Sequence, residues 1–332
     1  GVLEAAEYLL AHGKSFRRTA YLAFGDDEET LNLGALAISD HLKAQGVTLE
    51  FVLDEGGHKI DSGEAYGAPE LAVATVELME KGYADLELSV HSIGGHSSRP
   101  YGGTSLGRLS GAIANITRAP FAVRLNSAMI GAFETLAPYI TEEPLKTLVQ
   151  DVRGNADAIA AYCHEDPALF PYVSTTIAPT MIRGGSAACN VMPQDMQAVI
   201  NFRLGSVDTA ESVMAHCRAA VQDPGVELRF QQANDPSHIA RRDGYGYRAL
   251  VETMGRYFPE VVFIPAMTAG ATDAYRYEQI CDTCLRCSPF MTEPGEVASG
   301  VHGTNERLPM RSYLQGIRVL IALMQRANVD AQ

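Results

Sequence analysis

The chain has 332 residues, 46% apolar and 20% charged, and its 40 Asp and Glu outnumber 26 Lys and Arg to give a net charge of -14. Such a chain is globular and long enough for two domains. Its negative charge excludes a nucleic-acid backbone or an anionic membrane as an electrostatic partner, and no apolar run reaches the roughly 18 residues of a membrane helix. A small molecule is the expected ligand and the cytoplasm the expected location.

In chain order, "GVLEAAEYLLAHG" has the periodicity of an amphipathic helix, but no Ser, Thr, Asp or Asn caps its start, and residue 1 is Gly rather than Met. An N-terminally truncated chain is therefore expected. "RTAYLAFG" reads as a strand, "LGALAISDHLKAQG" as a helix closed by Gly46, and "LEFVLDEGG" as a second strand. This alternation predicts an α/β fold with a mostly parallel sheet. From Leu86 the pattern changes. "LELSVHS", "TSLGRLSGAIANI", "TTIAPTMIRGG", "MQAVINFRL", "TAESVMAHCRAAVQD" and "GVELRFQ" follow in the order β-α-β-β-α-β, which predicts a ferredoxin-like layer with a helical insertion at about residues 127–171. After Ala233 the α/β pattern resumes and ends in the helix "SYLQGIRVLIALMQ". One domain, residues 86–232, is thus expected to interrupt another formed by 1–85 and 233–332.

Asp26, Asp27, Glu28 and Glu29 stand in a row where the first apolar stretch stops, and Asp54 ends the next. Carboxyl ends of strands in open α/β sheets are the usual place for ligands. A solvated loop or an acidic helix N-terminus would also accommodate such a run. His302, in the Gly-flanked "GVHGTNERLP", adds an imidazole, and carboxylates with imidazole are donors that zinc accepts. If the acidic stretch is extended, Glu28 and Glu29 point apart, so that one can bind metal while the other moves a proton. Among the six cysteines, Cys281, Cys284 and Cys287 have the spacing of a cluster run but lack its fourth Cys, so they are read as small buried thiols.

Taken together and in order, these segments resemble the zinc-dependent exopeptidases and amidohydrolases that include carboxypeptidase G, aminoacylase, succinyl-diaminopimelate desuccinylase and Gly-X carboxypeptidase. The resemblance covers essentially the whole chain and is nearest to the Gly-X carboxypeptidase and N-acyl-amino-acid hydrolase branch. It implies a catalytic domain interrupted by a lid and dimerisation domain, a homodimer, and two Zn2+ per subunit. "AFGDDEETLNLGA" implies Glu28 as general base and Glu29 as a metal ligand, and "FVLDEGG" implies Asp54 as a ligand of the other metal. "GGHSSRP" implies that His96 stabilises an oxyanion in the partner subunit's site. "CNVMP" and "INFRL" imply substrate contacts from Asn190 and Arg203, and "AGATDAYRY" does so for Gly270 and Thr272. "GVHGTNERLP" implies His302 as the last zinc ligand.

One motif of that family has no counterpart here: the H-x-D that supplies a His ligand and a bridging Asp upstream of the point where this chain starts. "HEDP", from His164, has the pattern but follows a probable helix rather than a strand, and is not assigned. Partial zinc occupancy and little turnover are therefore expected of this chain alone. His91 is read as a strand histidine, His58 receives no role, and Arg203 has a competing role as a structural ion-pair partner. The implied reaction is metal-assisted hydrolysis of the amide of an N-acyl amino acid or of a peptide's C-terminal residue. The alternative is an inactive member or fragment that binds a metabolite or only dimerises.

Overall fold

The computed structural model describes residues 1–30, 32–293 and 302–328. Leu31 and the Gly300–Val301 start of the His302 motif lie outside the described residues. The chain divides into two compact units, one of residues 1–80, 125–168 and 238–332, the other of residues 81–124 and 169–237.

The first unit is built on a five-stranded sheet whose long strand, Ala68–Glu80, was not expected from the sequence. Contrary to the expected mostly parallel sheet, its pairing is mixed. Ala68–Glu80 runs parallel to Val261–Thr268 but antiparallel to Asp61–Gly63 and Cys284–Arg286, while Val52–Asp54 is parallel to Cys284–Arg286. Periodicity identifies a strand but not its neighbour, and that is why the expectation failed. "RTAYLAFG" differs too: residues 19–25 form no strand, since among the described residues no strand pairs with them. The helix Leu33–Ala44 forms as read, its residues Ala35 and Leu42 packing against Ala274, Tyr277 and Cys281.

The second unit runs β-α-β-β-α-β through the strand Gly82–His91, the helix Ser105–Thr117, the strands Thr176–Gly184 and Asp195–Leu204, the helix Ala210–Val221 and the strand Glu227–Asn234. All pairings in its four-stranded sheet are antiparallel, with Asp195–Leu204 and Gly82–His91 central. These two strands alternate strictly: Leu86, Leu88, Val90, Ala198, Ile200 and Phe202 face a core shared with Leu109, Ile116, Val213 and Cys217 of the two helices. Helix starts are specified locally. Thr104 Oγ1 accepts the Gly107 N–H at 3.0 Å, and Thr209 and Ser212 form a reciprocal capping box. Phe202 is fully buried and meets Phe121 edge-on with ring centroids 6.1 Å apart. Phe202→Ala should therefore destabilise the protein by about 3–5 kcal/mol, read from the shift of a urea unfolding midpoint at unchanged slope.

The helical stretch expected in the inserted domain belongs elsewhere: residues 125–168 group with the first unit. The reason is a packed and hydrogen-bonded attachment. Ala128 is part of that unit's core, and Arg242 donates to the Gly131 carbonyl at 2.9 Å and forms an ion pair with Glu134 at 2.5 Å. "HEDP" proves to be a helix end, with His164 in the last turn of Ala156–Glu165 and Asp166 accepting the Ala168 N–H at 2.7 Å.

Candidate active site

Three of the four carboxylates of the acidic stretch, Asp27, Glu28 and Glu29, have different surroundings. Asp27 caps the following helix, Oδ2 accepting the Leu33 N–H at 2.7 Å and Oδ1 the Gly34 N–H at 2.8 Å. This places a negative charge at a helix N-terminus, where unpaired N–H groups favour it. Glycine at 34 permits the approach, since a Cβ there would lie 2.9 Å from Asp27 Oδ1. Glu28 is half-buried, and burial first, then the nearby carboxylates Glu55, Glu29, Asp273 and Asp54, push its pKa up to about 7. Glu29 is exposed and its Oε1 lies 3.5 Å from His302 Nε2. His302 adopts a left-handed backbone with φ of 64°, unusual for a residue with a Cβ, and its N–H donates to Glu306 Oε2 at 3.1 Å.

Asp54 ends the strand Val52–Asp54, opposite Arg286 in the parallel pair. Its Oδ1 accepts the Glu55 N–H at 2.9 Å, while Oδ2 is buried with no hydrogen-bond partner among the described residues. Burial raises the pKa of Asp54, with the charge of Asp273 adding to it, and burial likewise raises that of Glu55. Asp273 accepts from Asn32 Nδ2 at 3.0 Å. Glu55 and Asp273 therefore join the cluster, although neither was singled out from the sequence; both lie inside quoted motifs, next to residues that were. Mutual repulsion, an orphaned carboxylate oxygen and a Glu–His contact together have the donor chemistry of a divalent cation site. Among the described residues, no group of three or more His, Cys, Asp or Glu side chains is placed to hold an ion. The donors come as the pair Glu29–His302 and as Asp54.

Gly270 is exposed, and a Cβ there would make only an ordinary contact at 3.8 Å. Thr272 is buried, and its hydroxyl donates to Glu80 Oε1 at 2.6 Å. The hydroxyl is thus engaged inside the protein.

In the second unit, the short strand Gly95–His96 pairs with Val191–Met192, and the Ser97 N–H donates to the Asn190 carbonyl at 2.8 Å. His96 and Asn190, both exposed, are thereby brought together. His96 Nδ1 lies 2.8 Å from the Ser98 hydroxyl oxygen and 3.2 Å from the Ser98 nitrogen; the tautomer in which Nδ1 accepts from both carries its proton on Nε2, which can donate to an oxyanion. Arg203 is elsewhere. It faces Thr176 and Tyr83 across the sheet, its guanidinium 4.8 Å from the Tyr83 ring centroid. Asp195, which opens the same strand five residues after Asn190, is eight residues from Arg203, about 26 Å at the rise of a strand. His91 is an exposed strand residue paired with Asp195 at 2.5 Å. All six cysteines are free, and Cys281, Cys284 and Cys287 are buried.

The first unit carries a mixed sheet and is interrupted in sequence by a unit with an antiparallel sheet, and carboxylates and a histidine stand at strand ends and loops of the first. The chain belongs to peptidase family M20/M25/M40, which matches residues 1–326. It is 32% identical over 333 residues to the N-fatty-acyl-amino acid synthase/hydrolase PM20D1.1 of Danio rerio, covering 99% of this chain and 64% of that protein. To the Homo sapiens PM20D1 protein of the same description it is 29% identical, covering 100% of this chain and 66% of the relative. The chain thus spans less than two thirds of the length of these curated relatives. Among solved structures, the M20 family metallo-carboxypeptidase Sso-CP2 of Sulfolobus solfataricus shares the fold with a TM-score of 0.63 at 15% identity, covering 98% of this chain and 74% of the other. Human carnosine dipeptidase 1 does so with a TM-score of 0.60 at 14% identity, covering 98% and 70%. Among the described residues, no helix is long and apolar enough to cross a membrane.

Proposed function

We propose that the full-length protein carrying this chain is a zinc-dependent hydrolase of the amide bond in a small carboxylate-bearing substrate, an N-acyl amino acid or the C-terminal residue of a short peptide. The observation that carries this reading is the contact of Glu29 with His302, 3.5 Å apart, next to a Glu28 whose pKa is raised to about 7. Glu29 and His302 would hold one metal and Asp54 the other. When bound, zinc supplies Lewis acidity at the scissile carbonyl and lowers the pKa of water. Glu28 takes the proton from the attacking water and passes it to the leaving amine, and a carboxyl poised near neutrality suits both transfers. His96 Nε2 donates to the oxyanion, and Arg203 holds the substrate carboxylate. The names of the relatives in Danio rerio and Homo sapiens support an acyl amino acid as substrate.

The second unit is read as a ferredoxin-like lid and dimerisation domain. Its edge strand Thr176–Gly184 exposes Met181 and Ile182, which supports pairing with a second copy. The separation of His96 and Asn190 from Arg203 supports their serving different active sites.

The test is a panel of N-acyl amino acids, their amides and dipeptides, assayed on the full-length protein with zinc quantified in parallel. Free acids should be hydrolysed in preference to amides. Arg203→Ala should raise KM for the acids by about 10–100-fold, the worth of a charge-assisted pair, and abolish that preference. No hydrolysis by zinc-loaded protein would overturn the reading, and an unchanged acid preference would make Arg203 structural.

A further inference from the structure

Arg286 lies between Cys284 and Cys287, in the stretch whose spacing suggested a thiolate cluster. Its side chain is 0% exposed. Strand pairing sets it opposite Asp54 on one side and Glu77 on the other. Nε donates to Glu80 Oε1 at 2.7 Å and Nη1 to the Cys284 carbonyl at 3.0 Å. That same Glu80 oxygen accepts from the Thr272 hydroxyl at 2.6 Å, and Glu77 Oε2 accepts from the Thr268 hydroxyl at 2.6 Å. Both ends of the loop 269–272, which follows the strand Val261–Thr268, are therefore tied to glutamates near the end of the strand Ala68–Glu80, the half-buried Glu77 and the buried Glu80. Thr272 also caps the 3-10 helix Asp273–Gln279 through the Ala274 N–H at 3.2 Å, and Asp273 reaches Asn32 at 3.0 Å.

Replacing a buried ion pair with well-packed apolar residues is often neutral or stabilising, so stability alone does not account for this arrangement. What the pair supplies is direction. With Nη1 anchored on the Cys284 carbonyl, the guanidinium fork is oriented so that Nε fixes where Glu80 stands, and Glu80 fixes Thr272. A lysine would provide the charge without the fork. We propose that Arg286 is a positioning residue for the loop 269–272, acting through Glu80 and Thr272 to hold Asp273, which follows the loop, beside the acidic cluster. The proposal rests on the hydrolase reading above, in which this loop lies on the substrate side of the site.

The test uses the full-length protein with Arg286→Lys and, separately, Thr272→Val, which cuts the same link while leaving the Arg286–Glu80 pair intact. Hydrogen exchange followed by mass spectrometry should show faster exchange across residues 269–274 in both variants, with the strand Ala68–Glu80 unchanged. In both, kcat/KM should fall by about 10–100-fold, the usual range for residues that orient a site from behind, mainly through KM. If Arg286→Lys does not fold, Glu80→Gln, which removes the charge that Arg286 holds and leaves the Thr272–Ala274 cap intact, is read by the same exchange and decides. Unaltered exchange in the loop, or equal acceleration throughout the sheet, would overturn the proposal while amide hydrolysis by the unsubstituted protein left the functional reading standing. Absence of any amide hydrolysis by that unsubstituted protein would remove the functional reading, and the proposal with it.

Discussion

Glu28→Gln in the full-length protein is expected to leave zinc content unchanged and to lower kcat by about 10²–10⁴-fold, the range associated with general acid–base catalysis. Gln preserves size and hydrogen bonding but cannot accept a proton from water. Without metal, the carboxyl of Glu28 is raised to about 7 by burial and by the surrounding carboxylates. Glu29→Gln is expected to do the opposite and weaken zinc binding, because Glu29 is the carboxylate 3.5 Å from His302. Metal analysis beside steady-state kinetics separates the two. Loss of zinc from Glu28→Gln with retention by Glu29→Gln would show the roles to be reversed.

Two inactive variants are expected to restore each other. If His96 serves the partner's site, a working site combines Glu28 of one chain with His96 of the other. His96→Ala should lose about 10²–10³-fold, mainly in kcat, because an oxyanion donor acts on charge that develops in the transition state. The local geometry suits such a donor, since the Ser98 N–H and hydroxyl can both donate to Nδ1, the arrangement that carries the proton on Nε2. Mixing Glu28→Gln chains with His96→Ala chains creates dimers in which one site has both native residues. Co-refolding should recover up to half of a native dimer's turnover per mixed dimer. Verified, zinc-loaded mixed dimers without activity would place His96 in its own subunit's site or outside catalysis.

Much of the local structure was legible in the chain because its causes are local. Alternation of Leu86, Leu88 and Val90 specifies a half-buried strand, and Thr104 and Thr209 mark helix starts by accepting N–H groups a few residues away. The elements that were misread depend on partners remote in sequence. "TAYLAFG" has the composition of a strand, yet a strand needs a neighbour to complete its hydrogen bonds, and among the described residues it has none. Residues 125–168 look like part of the domain that surrounds them in sequence, but Arg242 and the apolar contacts of Ala128 assign them to the other unit.

The same division holds for the site. The sequence by itself determined which residue types were available and that they cluster: the row from Asp26 to Glu29, Asp54 after an apolar run, and His302 between glycines. It also carried the family resemblance, because several motifs recur in one order. Only the tertiary structure decided what each side chain does. It turned Asp27 into a helix cap, brought Glu29 to His302 across more than 270 residues, and added Glu55 and Asp273 to the cluster. It also turned the Thr272 hydroxyl inward to Glu80 and set Arg286 among thiols that serve as core. These outcomes depend on distance and burial, which govern electrostatic coupling and the cost of an unpaired polar group. Neither quantity is a property of position along the chain.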